Sequence, residues 1–337
     1  MSFKRLDPED ISISAESVVA PLWTTDDPTL TSFYTSSTQV ASAAGKYYYD
    51  VYHLDPATNA STARVQYSLA FGDKTGRGGE RYNDSVNFKT PTSTIYGQYR
   101  NLVFGDEDTD FTFGTNTSDY FYAINVERAR YKEKLLPGSF NLKLTYGGNN
   151  LFLTDNSRDL ATVSFSDSGR VYELISGSNG SAYSGTGYDS SNNSYGKFLP
   201  DVGVILLNGT ALNQAAPDGL GVGFTTLETD KDNANLDNLH DAIVAGASFK
   251  LQSEETISSN FVFIRVRNSE FNYSSNPSNI TGSGELRHDV MINSPQAYIT
   301  TVGLYNDSND LVALAKLSRP LLKDFTKEAL IRIKLDY

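Results

Sequence analysis

Cysteine is absent from this chain of 337 residues, which excludes disulfide staples and thiolate metal sites and fits synthesis in a reducing compartment. Histidine is nearly absent: His53, His240 and His288 are the three in the chain. A nucleophilic triad needs a base within hydrogen-bond reach of a hydroxyl, and no Gly-x-Ser-x-Gly elbow accompanies any of them. No stretch approaches the ~20 apolar residues of a membrane-crossing helix, so no membrane partner is expected. The first ten residues carry basic side chains but no apolar run, so no secretory signal is expected there. Positive charge is also in deficit. A net charge of −12 argues against nucleic acid as a partner, because a basic patch has to carry that affinity.

What is abundant points to β structure. The chain has 21 Tyr and 18 Phe against one Trp, with many Asn, Ser, Thr and Gly, a profile of strands joined by polar loops. A charged fraction of 20% beside 39% hydrophobic residues is a globular balance and not a disordered one. At 337 residues the chain exceeds the size at which one core usually stops growing. Residues 1–33, punctuated by Pro8, Pro21 and Pro28, read as an extended arm that packs on its own domain or reaches a neighbour. Residues 34–150 and 151–337 read as two β-rich domains, the second with one helix near 232–245 and a C-terminal antiparallel sheet.

Periodicity places the elements. Ala63, Val65, Tyr67, Leu69 and Phe71 recur at a period of two, the mark of a strand, and a Gly-rich mobile loop follows over residues 72–79. Strands are expected at 94–104, 120–126, 140–146, 150–153, 161–165, 169–175 and 198–208. The charged stretch 127–135, stopped by Pro137-Gly138, suits a short helix. Over 232–245, Leu236, Leu239, Ile243 and Val244 share a helical face, with Gly246 at the left-handed cap position. Tyr298–Tyr305 and residues 311–317 flank the turn cluster 306–310 as a hairpin, and residues 329–337 alternate apolar and polar as a half-buried strand. Asn260 to Arg267 adds a further strand. The fold class is mainly β: antiparallel sandwich-like sheets, long polar loops and two or three short helices.

No catalytic, metal or cofactor set emerges, and no enzyme is expected. Asp237 and His240 stand three apart on the expected helix, where a solvated pair is the ordinary reading. Asp106, Asp108 and Asp110 alternate as calcium ligands do, without the central Gly and the closing Glu of such loops. Gly219, Gly221 and Gly223 lack the strand and Lys-Ser/Thr context of a phosphate cradle. The long loop 176–196 places Tyr183, Tyr188 and Tyr195 where they can pack the loop or stack on a sugar. Residues 311–337 hold six cations, Lys316, Arg319, Lys323, Lys327, Arg332 and Lys334, against three acids, so this segment is +3 and the remainder −15. It is either a solvated face or a basic surface that docks on an acidic one.

The run Phe261-Val262-Phe263-Ile264-Arg265-Val266-Arg267, continuing to Pro277, resembles a segment of virion structural proteins of contractile-tailed phages, in particular myoviruses of cyanobacteria. The same holds for Pro295-Gln296-Ala297-Tyr298-Ile299-Thr300-Thr301 and its continuation to Pro320. The likeness is densest over 247–337 and weaker at 128–138 and 94–100. It implies a non-enzymatic part of the virion, in the tail or baseplate, assembled in the host cytoplasm. Its implied partners are other virion structural proteins and further copies of itself in a symmetric oligomer. The alternatives are a receptor- or carbohydrate-binding virion module, or a neck or capsid-surface protein.

Overall fold

The computed structural model describes residues 4–35, 48–83, 85–86, 89–183, 194–230 and 233–336. The chain is mainly β with antiparallel pairing, and four α-helices stand among the described residues. No helix among these residues is long and apolar enough to cross a membrane. Two compact units are present: Val18–Glu255, and Met1–Ser17 together with Thr256–Tyr337. This differs from the expected division. A boundary at 150/151 would cut the strand Asn149–Asp155, which pairs with Asn141–Tyr146 on one side and with Gly169–Ser178 on the other. Nor is residues 1–33 one arm. Leu22, Trp23 and Leu30 are buried in the larger unit, where the Trp23 indole N–H donates to the carbonyls of Pro28 (3.0 Å) and Phe249 (3.1 Å). Residues 4–17 belong to the smaller unit, with Lys4 paired to Glu270 at 3.1 Å and Leu6 packed on its apolar cluster.

The larger unit is built on one sheet. Its order is Thr29–Leu30, Ser248–Lys250, Asn141–Tyr146, Asn149–Asp155, Gly169–Ser178, Gly196–Leu199, Val204–Asn208, Tyr120–Val126, Val65–Asp73, Tyr48–Tyr52, Tyr34–Thr35. The central strands carry near-continuous apolar runs, as expected of strands covered on both faces; every residue of Val204–Asn208 is buried. One face packs on Leu236, Leu239, Ala242 and Ile243 of the helix Ala234–Gly246. The other packs on Ile95, Tyr96 and Val103 of the helix Pro91–Phe104.

The second helix replaces the strand expected at 94–104. Thr90 accepts from the Ser93 N–H while Ser93 Oγ accepts from the Thr90 N–H, Pro91 opens the first turn, and Gly105 closes the helix at φ 63°. These end signals outweigh the β-branched content between them. The charged stretch at 127–135 is likewise not an α-helix. It makes one 3₁₀ turn, Arg128–Arg130, and a short strand, Lys134–Leu135, pairing with Ser253 and Glu254. The helix near 232–245 is present as Ala234–Gly246, but Ala247 (φ 54°) takes the left-handed cap. Gly246 is fixed by packing instead, since a Cβ there would meet the Lys143 carbonyl at 1.9 Å. The Gly-rich loop after Phe71 is pinned by buried Asp73, whose Oδ1 accepts from the N–H groups of Thr75 and Arg77, both at 2.9 Å.

In the smaller unit, the sheet order is Ile11–Pro21, Gln252–Val266, Ala329–Asp336. The expected hairpin forms as Gln296–Tyr305 and Leu311–Asp324, a separate two-stranded ribbon and not part of that sheet. Ile331, Ile333 and Val262 of the sheet and Val302, Ala315 and Leu317 of the ribbon belong to one apolar cluster, giving two packed layers.

Candidate functional site

The last strand, Ala329–Asp336, alternates as its sequence does. Ile331 and Ile333 turn into the cluster while Leu330, Arg332 and Lys334 are exposed. Arg332 and Lys334 stand over the Phe261 ring of the adjacent strand, at 5.5 and 5.9 Å from its centroid. Lys334 also meets Asp336 at 3.1 Å and Glu16 at 3.9 Å. Lys327 pairs with Asp324 at 3.5 Å. Lys316 and Arg319 are exposed on the ribbon and have no partner among the described residues. Lys316 alternates with inward Ala315 and Leu317, as Arg332 does with Ile331 and Ile333, so the two cations point from opposite outer faces of the two layers.

Lys323 departs from the expectation altogether. It is fully buried, and its ammonium donates to the carbonyls of Asn268 (3.0 Å) and Asp324 (2.9 Å) and to Asn272 Oδ1 (2.7 Å). It holds the chain together and is not a docking charge. The six cations therefore do not form one patch.

The tyrosines also separate. Tyr195 is buried in the larger unit's core and its hydroxyl donates to the Asp218 carbonyl at 2.8 Å, so it is a packing residue and not a contact residue. Tyr183 is exposed and meets Phe152 edge-on, at 6.3 Å and 78°. Tyr188 lies outside the described residues.

Asp237 accepts a hydrogen bond from the Tyr49 hydroxyl. His240 faces Asp241 at 3.7 Å, its Nε2 is buried without a partner, and burial holds its pKa below the ordinary histidine value. Asp106 accepts from the Asp108 N–H (2.8 Å) and the Thr109 hydroxyl, which holds its carboxyl below the usual range, while Asp110 pairs with Lys74 at 2.6 Å. Among the described residues no group of three or more His, Asp or Glu is placed to hold a metal ion. Asp155 is the one buried carboxyl among the described residues whose pKa is raised, by burial; both its oxygens accept from the Gly138 N–H at 2.9 Å, a structural clamp on a turn.

Two features escaped the sequence reading. Ile11–Pro21 is a strand at the end of its sheet with every residue exposed, Ile13 at 75%. The alternation Ile11-Ser12-Ile13-Ser14-Ala15 carried the signal, beneath a count of prolines. The second is the density of exposed apolar side chains in the smaller unit, among them Tyr273, Val290, Tyr298, Val312 and Leu330, each at least 64% exposed. No protein-family model, curated protein or solved structure matches the chain.

Proposed function

We propose that this chain is a non-enzymatic structural component of a contractile-tailed phage particle, in the tail or baseplate, that works through assembly contacts with other particle proteins. The observation that carries this reading is the surface of the smaller unit. It buries four large apolar side chains among the described residues, Val262, Val266, Ile331 and Ile333, where the larger unit's main cluster buries dozens. It also supplies half of the exposed large apolar side chains found among the described residues, from under a third of the chain. Free-standing proteins seldom leave so much apolar surface wet, and such surface marks contact with another macromolecule. The edge strand Ile11–Pro21, exposed along its whole length, carries no lysine or internal proline to guard it against pairing with another chain. The segments that resemble virion proteins, 261–277 and 295–320, fall on this same unit.

The test is whether the chain is present at fixed copy number in purified particles, by quantitative mass spectrometry, and buries residues 11–17 and 256–336 there, by hydrogen exchange against the free protein. Its presence in infected cells but absence from purified particles would eliminate the reading.

A further inference from the structure

The larger unit carries a separate concavity on the outer face of its sheet, about 290 Å³ in volume. Five strands line it, the end of Gly169–Ser178 among them. Lys143 of Asn141–Tyr146 lies between Ser248 on one neighbour and Phe152 on the other, and Asn141 lies beside Lys250, which in turn pairs with Thr29. Lys143 and Lys250 are thus diagonal neighbours on one face, about 7–8 Å apart in such a geometry. Neither has a carboxylate partner among the described residues, although the chain as a whole carries a net charge of −12. Two uncompensated like charges at that spacing repel, and an anion between them removes the repulsion.

The rest of the lining is fixed. The turn Ser178-Asn179-Gly180 folds over one end: Asn141 Oδ1 accepts from the Asn179 N–H (2.7 Å), and Thr154 Oγ1 accepts from the Gly180 N–H (2.8 Å). The φ of 52° at Asn179 and 83° at Gly180 set this fold-over. On the other flank Phe152 stands 43% exposed, with the Lys143 ammonium 5.8 Å from its centroid and the ring of Tyr183, 45% exposed, against its edge. The hydroxyls of Thr29 and Ser248 and the side-chain N–H₂ of Asn179 make no hydrogen bond within the described residues.

We infer that this groove is a binding site for a carboxylated saccharide. Lysine is a compact point charge suited to a carboxylate, whereas the guanidinium forks favoured for phosphate are absent from the lining. Free hydroxyl and amide groups match sugar hydroxyls. Exposed aromatic rings offer the apolar surface that the C–H face of a sugar covers. The inference does not rest on the assembly reading, which concerns the other unit.

The test uses the full chain in calorimetric titration with trigalacturonate as probe, maltotriose as its neutral counterpart and inorganic sulfate as a simple anion. Trigalacturonate binding is expected, weakening as salt is raised, with maltotriose at least about tenfold weaker. Lys143→Gln with Lys250→Gln should lower affinity by about tenfold or more, since a charge-assisted hydrogen bond is lost at each site. Phe152→Ala should weaken trigalacturonate but leave sulfate unchanged, and Phe152→Tyr should restore it. An unaltered Trp23 emission and melting temperature establish that each variant is folded. No binding of trigalacturonate at millimolar concentration would overturn the inference. So would equal binding by the double glutamine variant, or sulfate binding as tight as trigalacturonate with no effect of Phe152→Ala.

Discussion

Replacing Lys323 by methionine separates a structural lysine from a docking one. Methionine keeps an unbranched apolar stem but removes the ammonium, leaving the buried Asn272 side-chain oxygen without its donor, while the Asp324 carbonyl keeps the Lys327 N–H at 3.3 Å. Asn272 is itself buried and donates to the Asn268 carbonyl at 2.7 Å, so the lysine closes a small network that ties the start of the excursion 267–295 to the end of the hairpin. Each orphaned buried acceptor costs about 1–3 kcal/mol, offset in part because a desolvated ammonium is no longer needed. The net loss expected is about 1–3 kcal/mol. Trp23 lies in the larger unit, so its fluorescence reports on that unit and serves as an internal control. Amide exchange over residues 296–324 is the direct readout, and should speed up by roughly 5- to 150-fold under conditions where opening is at equilibrium. Lys327→Met, which breaks a pair at 3.5 Å near the surface, should change exchange little. An effect of Lys323→Met below about 1 kcal/mol, or one no larger than that of Lys327→Met, would refute the assignment.

Charge reversal at Lys316 with Arg319, and separately at Arg332 with Lys334, should leave the melting temperature within a few degrees of the parent, about the effect of surface substitutions. Both pairs should lower incorporation into particles in a complementation assay; normal incorporation of both would return these cations to a solvated face. Tyr195→Phe removes the hydrogen bond to the Asp218 carbonyl and should cost about 1 kcal/mol in urea unfolding followed at Trp23, with trigalacturonate affinity unchanged. His240 is held neutral by burial, against the opposing pull of Asp241 and Asp237. Its folded pKa lies below its unfolded value, so its contribution is present above about pH 6.5 and is lost as pH falls from there through the lowered folded value. The urea midpoint should therefore drop between pH 7.5 and pH 5.5, and His240→Gln should flatten that slope.

Much of the fold was legible because its cause is local. The strand pattern at Val65–Asp73 and the terminal alternation at Ala329–Asp336 are period-two signals with one sense, and both elements form as read. The hairpin at 296–324 was set by a five-residue polar turn, in which the Asp310 N–H donates to Asn306 Oδ1 at 2.8 Å. What failed was read from composition where end signals governed. The stretch 91–104 carries Thr92, Thr94, Ile95, Tyr96, Tyr99 and Val103, yet the capping box at Thr90 and Ser93 and the Gly105 stop define it as a helix. The domain boundary failed for another reason. Pairing between strands distant in sequence, such as Thr29–Leu30 with Ser248–Lys250, joins what linear reading separates.

The charged residues show the same limit at finer grain. Their number was legible; their faces were not, because the second hairpin strand was read as residues 311–317 alone. The strand instead continues to Asp324 across a bulge: Thr301 pairs with Lys316 and Ile299 with Leu321, so the four residues Leu317 to Pro320 stand opposite Thr300. Proline is tolerated at a bulge because no ladder hydrogen bond is lost there. The alternation breaks at exposed Arg319 within the bulge and resumes beyond it: Ala315, Leu317 and Leu321 pack inward, and Lys323, two residues beyond Leu321, follows them into the interior. Lys316 alternates out by the same count. A strand with one apolar face thus sorts its own cations, the inward one bonded to three oxygens and the outward one left to solvent or to a neighbour. The contrast between Lys323→Met and reversal of Lys316 with Arg319 measures that sorting, stability responding to the first and incorporation to the second.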